Sequence, residues 1–287
     1  MKLKDMQFFI TGLGNLFENK DHIIKTVLEA DKWGFDAALM PDHYMWGREI
    51  GHSMQNPYKT LETWTTFTYL AGKTERIKFG TLVTPLPFRH PGVLAKRLST
   101  LDNLSEGRVI LGVGAGWSRV EFEGYSNWLG DKSRVDKTVQ ALSIIRRLWT
   151  EDSVTFKSEH YNIKDAVLDP KPIQKPHPPL LFGSSGKRML RLTGKYGDIC
   201  FIPPWMTEKK QEIKETVIQS AQEAGRADKI GFMAGMMGTG AYNQDIYVKA
   251  VEDAEKDGAK YFAVAFPSSD LKNSMADFAE NVMPSYH

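Results

Sequence analysis

Val109-Ile110-Leu111-Gly112-Val113-Gly114-Ala115-Gly116-Trp117 is an unbroken apolar run that passes straight into alternating glycines. An aliphatic run of this length, bounded by turn residues, has the pattern of a strand buried on both faces, as in a parallel sheet. Glycines just after such a strand let the backbone approach a flat ligand, and they equally ease tight packing between strands. The dinucleotide-binding pattern GxGxxG fails here. Its third glycine would fall at Trp117 or Arg119, and no long helical pattern follows at once. A nicotinamide site of the doubly wound kind is therefore disfavoured, and the neighbouring segments decide where this strand belongs.

Those neighbours alternate. Upstream, Pro91 to Leu104 carries Leu94, Leu98 and Leu101 at helical spacing. Before it come a strand over Ile77 to Val83, an aromatic-rich helix over Pro57 to Lys73, and a strand from Phe35 to Met40 stopped by Pro41. A helix capped by Asp21 and ending near Gly34 follows a first strand, Met6 to Ile10. Downstream, Val135, Val139, Leu142 and Ile145 mark a helix face running to Trp149. Residues 151–178 break the rhythm with a hairpin pattern and a proline-rich stretch, and read as an insertion. Then strands at Leu180–Phe182, Asp198–Ile202, Ile230–Met237 and Tyr261–Phe266 alternate with helices at 187–196, 208–224, 244–256 and 271–282.

Eight strands, each followed by a helix, predict an α/β fold. Parallel strands need crossovers, and helices supply them. The expected architecture is a single (β/α)8 TIM barrel spanning residues 1–287, because eight units in 287 residues approach the ~250 residues of such a barrel. An open doubly wound sheet is the alternative.

Composition excludes several function classes. With 37 basic and 35 acidic residues the net charge is +2, which asks for neither nucleic acid nor a membrane surface. Cys200 is the single cysteine, set in an apolar run, so it is expected as a buried thiol without disulfide or zinc. His22, His52, His90, His160 and His177 show no metal-ligand spacing, and no metal is expected. The charged start Met1-Lys2-Leu3-Lys4-Asp5 leads into too short an apolar run for a signal peptide. No segment approaches the ~20 apolar residues of a membrane span. A soluble cytoplasmic protein acting on a small molecule is expected.

In a barrel of this kind the site forms on loops after the strand C-termini. After the second strand come Asp42, His43 and Trp46. An Asp-His pair at a strand end suits proton handling, since imidazole titrates near neutral pH and a carboxylate can tune it. A hydrogen-bonded structural pair is the alternative. After the third strand come Leu82, Val83 and Thr84, with Pro85 shaping the loop. After the fourth come Gly114, Ala115, Gly116 and Trp117. After the fifth, Gly183, Ser184, Ser185 and Gly186 lead into a helix that carries Lys187, Arg188 and Arg191. Backbone N–H groups at that helix start suit a phosphate, although the P-loop pattern is absent and the cations equally fit a solvated face. Trp64 lies within a helix and is expected in the core. Trp46, Trp117 and Trp205 follow strands and could wall an apolar pocket for a ring system.

Taken together, several of these stretches resemble the luciferase-like monooxygenase superfamily. They are Gly34-Phe35-Asp36, Pro41-Asp42-His43, Arg89-His90-Pro91, Leu104-Ser105-Glu106-Gly107-Arg108, Gly112 to Trp117, and Pro170-Lys171-Pro172 with Pro176 to Pro179. They cover roughly residues 20–200 in order; the last third matches only in its alternation. The resemblance implies the same barrel, a homodimer, and either reduced FMN or the deazaflavin coenzyme F420. His43 would lie against the cofactor ring, Leu82-Val83 would be a cis peptide beside it, and residues 183–186 would contact phosphate. Spacing of His43 and Trp46 with the Glu62-Thr63-Trp64 helix resembles the deazaflavin members more, so F420 and hydride transfer are favoured. An FMN monooxygenase and a non-catalytic flavin-binding barrel are the alternatives. In hydride transfer His43 would exchange a proton with the substrate, with Asp42 orienting or tuning it. The deazaflavin sugar-phosphate dehydrogenases carry a glutamate where this chain has Trp117, which weakens that particular chemistry.

Overall fold

The computed structural model describes residues 6–13, 20–48, 56–238 and 240–286; the N-terminal Met1 to Asp5 and His52 lie outside them. Eight parallel strands close into a barrel. They are β1 (Gln7–Ile10), β2 (Ala37–Met40), β3 (Lys78–Thr81), β5 (Val109–Gly114), β8 (Leu180–Phe182), β9 (Ile199–Phe201), β10 (Gly231–Met236) and β11 (Tyr261–Val264). Each pairs with the next in this order, β11 pairs with β1, and the β3–β5 pairing completes the ring. A two-residue strand, β4 (Thr84–Pro85), adds to β5 near its C-terminal end.

Strand alternation explains the layers. Phe9, Leu39, Ile110, Leu181 and Phe201 turn inward and fill the barrel, together with Met233 and Ala263. Their chain neighbours Phe8, Ile10, Met40, Leu111 and Phe182 turn outward and pack beneath the helices. Successive side chains on a strand face opposite sides, and here both sides are covered. This is why the strands read as continuous apolar runs rather than alternating ones.

The helices α1 (Lys20–Trp33), α2 (Thr63–Ala71), α3 (Pro91–Leu104), α4 (Arg119–Tyr125), α5 (Asp131–Thr150), α6 (Lys187–Tyr196), α7 (Lys210–Glu223), α8 (Gln244–Lys256) and α9 (Leu271–Asn281) surround the ring. Three differ from expectation. Asp21 sits in the first turn of α1 rather than capping it. The aromatic-rich helix starts at Thr63, not Pro57, because Glu62 caps it by accepting from Thr65 N–H at 2.7 Å. The short α4 is additional to the eight helices that the alternation predicts.

The insertion holds an antiparallel hairpin, β6 (Val154–Lys157) with β7 (Asn162–Ala166). Its proline stretch contains cis bonds at Asp169–Pro170 and Lys175–Pro176 and is fastened to the barrel. The Gln174 side-chain amide donates to Asp102 Oδ1 at 2.6 Å, and Lys171 Nζ donates to the Leu148 carbonyl at 2.8 Å.

At the N-terminal end of the barrel, carboxylates hold the strand starts. Asp36 accepts from Phe8 N–H and Asp198 from Leu180 N–H, each at 2.8 Å. Asp31 accepts from the N–H groups of Glu75, Arg76 and Ile77. Burial opposes the Asp31 charge, but these donors outweigh it and hold the carboxyl below its usual range.

Candidate functional site

Loops after the strand C-termini enclose a cavity of about 700 Å³ at the opposite end. His43, three residues past β2, stands in its wall. His43 Nδ1 lies 2.8 Å from Glu121 Oε2. Glu121 is 1% exposed, in the first turn of α4. Its other oxygen accepts from Tyr44 N–H at 2.5 Å and Met45 N–H at 3.4 Å. With both oxygens acting as acceptors, Nδ1 is the donor, and Nε2 is the nitrogen left for a substrate.

Two tryptophans fix the ring's remaining sides. The Trp46 ring lies 4.2 Å from the imidazole at 33°, and Trp117 meets it edge-on at 5.4 Å. Trp46 therefore backs His43 and does not line the cavity, whereas Trp117 and Trp205 do. Trp64 is fully buried.

Asp42 does not orient His43. Arg89 grips it through two bonds, Nη1 to Oδ2 and Nη2 to Oδ1, each 2.6 Å. Thr84 Oγ1 donates to the same carboxylate at 2.7 Å and receives the Trp64 indole N–H at 3.3 Å. Burial works against the Arg89 charge, yet Asp42 more than compensates and holds the guanidinium above its usual range. Asp42 and Thr84 thus form a buried frame behind the cavity. The carboxylate that bonds and orients His43 is instead Glu121. A sequence signal for it existed: Ser118-Arg119-Val120-Glu121 has the S-x-x-E form of a capping box, which marks a helix start after β5.

The remaining candidates lie where the loops converge. The Leu82–Val83 peptide is cis, and both side chains line the cavity with Gly114, Ala115 and Gly116. The glycines have packing reasons as well. A Cβ on Gly114 would meet Val83 Cγ2 at 2.5 Å, and Gly116 holds φ +80°. Gly183, Ser184, Ser185 and Gly186 form the wall at the start of α6, where Gly186 is the cap residue.

The helix cations are not in this wall. Lys187 faces Glu212 at 4.0 Å and Arg188 bonds Asp136, the solvated arrangement. Among the described residues, the lysine or arginine that lines the cavity is Arg134, which no spacing in the sequence singles out. Its Nη1 donates to the Leu129 carbonyl and Nη2 to Asp131, the guanidinium stacks 3.9 Å over Trp128, and buried Nε has no partner.

Among the described residues no group of histidines, cysteines and acids is arranged to hold a metal, and no helix is long and apolar enough to cross a membrane. Cys200 is buried.

The barrel has counterparts in known proteins. The chain belongs to the luciferase-like monooxygenase family, whose sequence model matches residues 7–272. It is 34% identical over 171 residues to an F420-dependent glucose-6-phosphate dehydrogenase of Microbacterium testaceum, covering 59% of this chain and 48% of that protein. It is 27% identical over 215 residues to an FMNH(2)-dependent dimethylsulfone monooxygenase of Pseudomonas putida, covering 75% and 57%. The chain spans about half the length of the curated relatives it matches. An F420-dependent secondary alcohol dehydrogenase, solved with an F420-acetone adduct, shares the fold with a TM-score of 0.85 at 20% identity over 99% of both chains.

Proposed function

We propose that this chain is an oxidoreductase that uses the deazaflavin F420 for hydride transfer to or from a small organic substrate. The observation that carries the reading is His43, held by Glu121 and two tryptophans in the wall of the cavity. Relatives named for F420 and for FMNH(2) support a cofactor of this class.

The residues present fit such a group. Leu82, Val83 and the glycines at 114 and 116 make a narrow wall suited to a flat ring. Arg134, with its unpartnered Nε, and the start of α6 suit an anionic tail. When bound, a deazaflavin supplies two-electron hydride exchange.

The chain's own residues do the rest. His43 Nε2 takes the hydroxyl proton as an alcohol is oxidised, or returns it to a carbonyl oxygen in the reverse direction. Glu121 holds the tautomer that leaves Nε2 unprotonated and stabilises the charge that develops on the ring. Trp46 and Trp117 pack against the ring and hold its plane.

A second reading, an FMN-dependent monooxygenase, draws on the Pseudomonas putida relative. Parallel fluorescence titrations with F420 and FMN separate the two. Tight binding of F420 and weak binding of FMN are expected; binding of neither sinks the cofactor assignment. His43→Ala is expected to keep the cofactor and lose turnover.

A further inference from the structure

The charge inventory of the cavity identifies its substrate class. Among the described residues, four ionisable side chains line it: His43, Glu121, Asp131 and Arg134. They are already matched, His43 with Glu121 at 2.8 Å and Arg134 with Asp131 at 2.6 Å. One cation serves one anion, and the proposed cofactor brings its own phosphate to Arg134. Among the described residues, a substrate phosphate would find no further lysine or arginine in the lining and would face two carboxylates, Glu121 and Asp131.

The outer cavity is instead large and apolar. Trp117 is 55% exposed, Trp205 67% and Met237 50%, and all three line it alongside Met206 and Met236. Exposed aromatic and thioether groups gathered at one mouth mark a binding surface for flat apolar matter. His43 stands in the same wall and offers Nε2 to one oxygen of a bound molecule.

We propose that the substrate is an uncharged, ring-bearing alcohol or ketone seated against Trp117 and Trp205 with its oxygen on His43, and not a sugar phosphate. This deepens the reading of the cavity as a cofactor and substrate site, and it sets the chain apart from the glucose-6-phosphate dehydrogenases it resembles in sequence.

Calorimetry and saturation-transfer NMR with two probes, acetophenone and glucose 6-phosphate, test this on the full chain, with and without F420. Acetophenone is expected to bind saturably. Trp205→Ala should weaken it about tenfold, the scale of one aromatic contact, and Trp205→Phe should restore most of the loss. Glucose 6-phosphate should show no saturable binding. The inference is overturned by glucose 6-phosphate binding that displaces acetophenone. It is equally overturned by acetophenone affinity that Trp205→Ala leaves unchanged, or by no acetophenone binding in either state. If neither F420 nor FMN binds while acetophenone still does and still depends on Trp205, the cofactor reading falls and the substrate class stands.

Discussion

His43 and Glu121 are 78 positions apart in the chain and meet at 2.8 Å, with the glutamate's second oxygen anchored on the backbone beside the histidine. In a Glu121→Gln variant, the two backbone donors compel the new amide to point its oxygen at them and its NH2 at Nδ1. The imidazole must then carry its proton on Nε2, the wrong nitrogen for accepting one. This substitution is therefore expected to lower kcat by about 10²–10⁴-fold, as tautomer inversion does in other histidine dyads. The cofactor Kd should not move. Ring ¹⁵N NMR shifts would register the change of tautomer, which loss of packing alone would not produce.

Asp42 makes the opposite prediction. Its side chain is fully buried and Arg89 is its ionic partner, with a side chain 10% exposed. Arg89→Ala leaves a buried carboxylate unpaired, a change that costs about 3–5 kcal/mol. Chemical denaturation should show this loss of stability. Asp42→Asn should also lower stability more than it lowers kcat per folded molecule.

Arg134→Met should weaken cofactor binding by about ten- to a hundredfold, the worth of one charge-assisted hydrogen bond. The remaining affinity should respond less to salt. Fluorescence titration at two ionic strengths reads both effects.

Gly112 has no space for a side chain: a Cβ there would stand 1.8 Å from the Thr81 carbonyl oxygen. That carbonyl is backbone at the β3–β5 seam and cannot swing away. Gly112→Ala should cost about 3 kcal/mol or more, seen as a lowered Tm or as insoluble protein. Trp205→Ala, made in parallel, should leave Tm nearly unchanged.

Burial pushes the Cys200 thiol up to about 12 from its ordinary 9.0. Burial also raises the phenols of Tyr161, Tyr247 and Tyr286 above their ordinary 10.0. Each ionises more readily in the unfolded chain. Their contribution to stability is whole below about pH 9 and is lost as pH rises through the folded values. Tm should fall steeply between about pH 9 and pH 12. At pH 8 a disulfide reagent should leave Cys200 untouched until denaturant is added.

The barrel was legible because its strands are covered on both faces, which leaves unbroken apolar runs such as Val109 to Val113 that no polar alternation obscures. Much of the mouth was legible too, because position at a strand C-terminus is itself a signal: His43, Leu82, Val83 and the stretches 114–117 and 183–186 all reach the cavity. What escaped was pairing. Arg89 lies 47 residues from Asp42, and nothing local says that it claims the carboxylate before His43 can. Arg134 looks like any arginine of an amphipathic helix, while Lys187 and Arg188, better placed by chain position, find surface acids instead. The start of α2 was misplaced because Pro57 to Leu61 extends the apolar pattern, whereas Pro57 is held as a loop by Trp46 and Gly47, whose N–H groups donate to its carbonyl.

The carboxylates that fasten the strand starts, Asp31, Asp36 and Asp198, sit at the end of the barrel away from the cavity. Structural upkeep and the lining of the cavity rim thus draw on separate sets of positions. Mutational libraries at Trp205 and Met237 can be wide without eroding the yield of soluble protein. The same division lets the exposed rim be exchanged while the buried His43–Glu121 pair and the foundation beneath it keep their places.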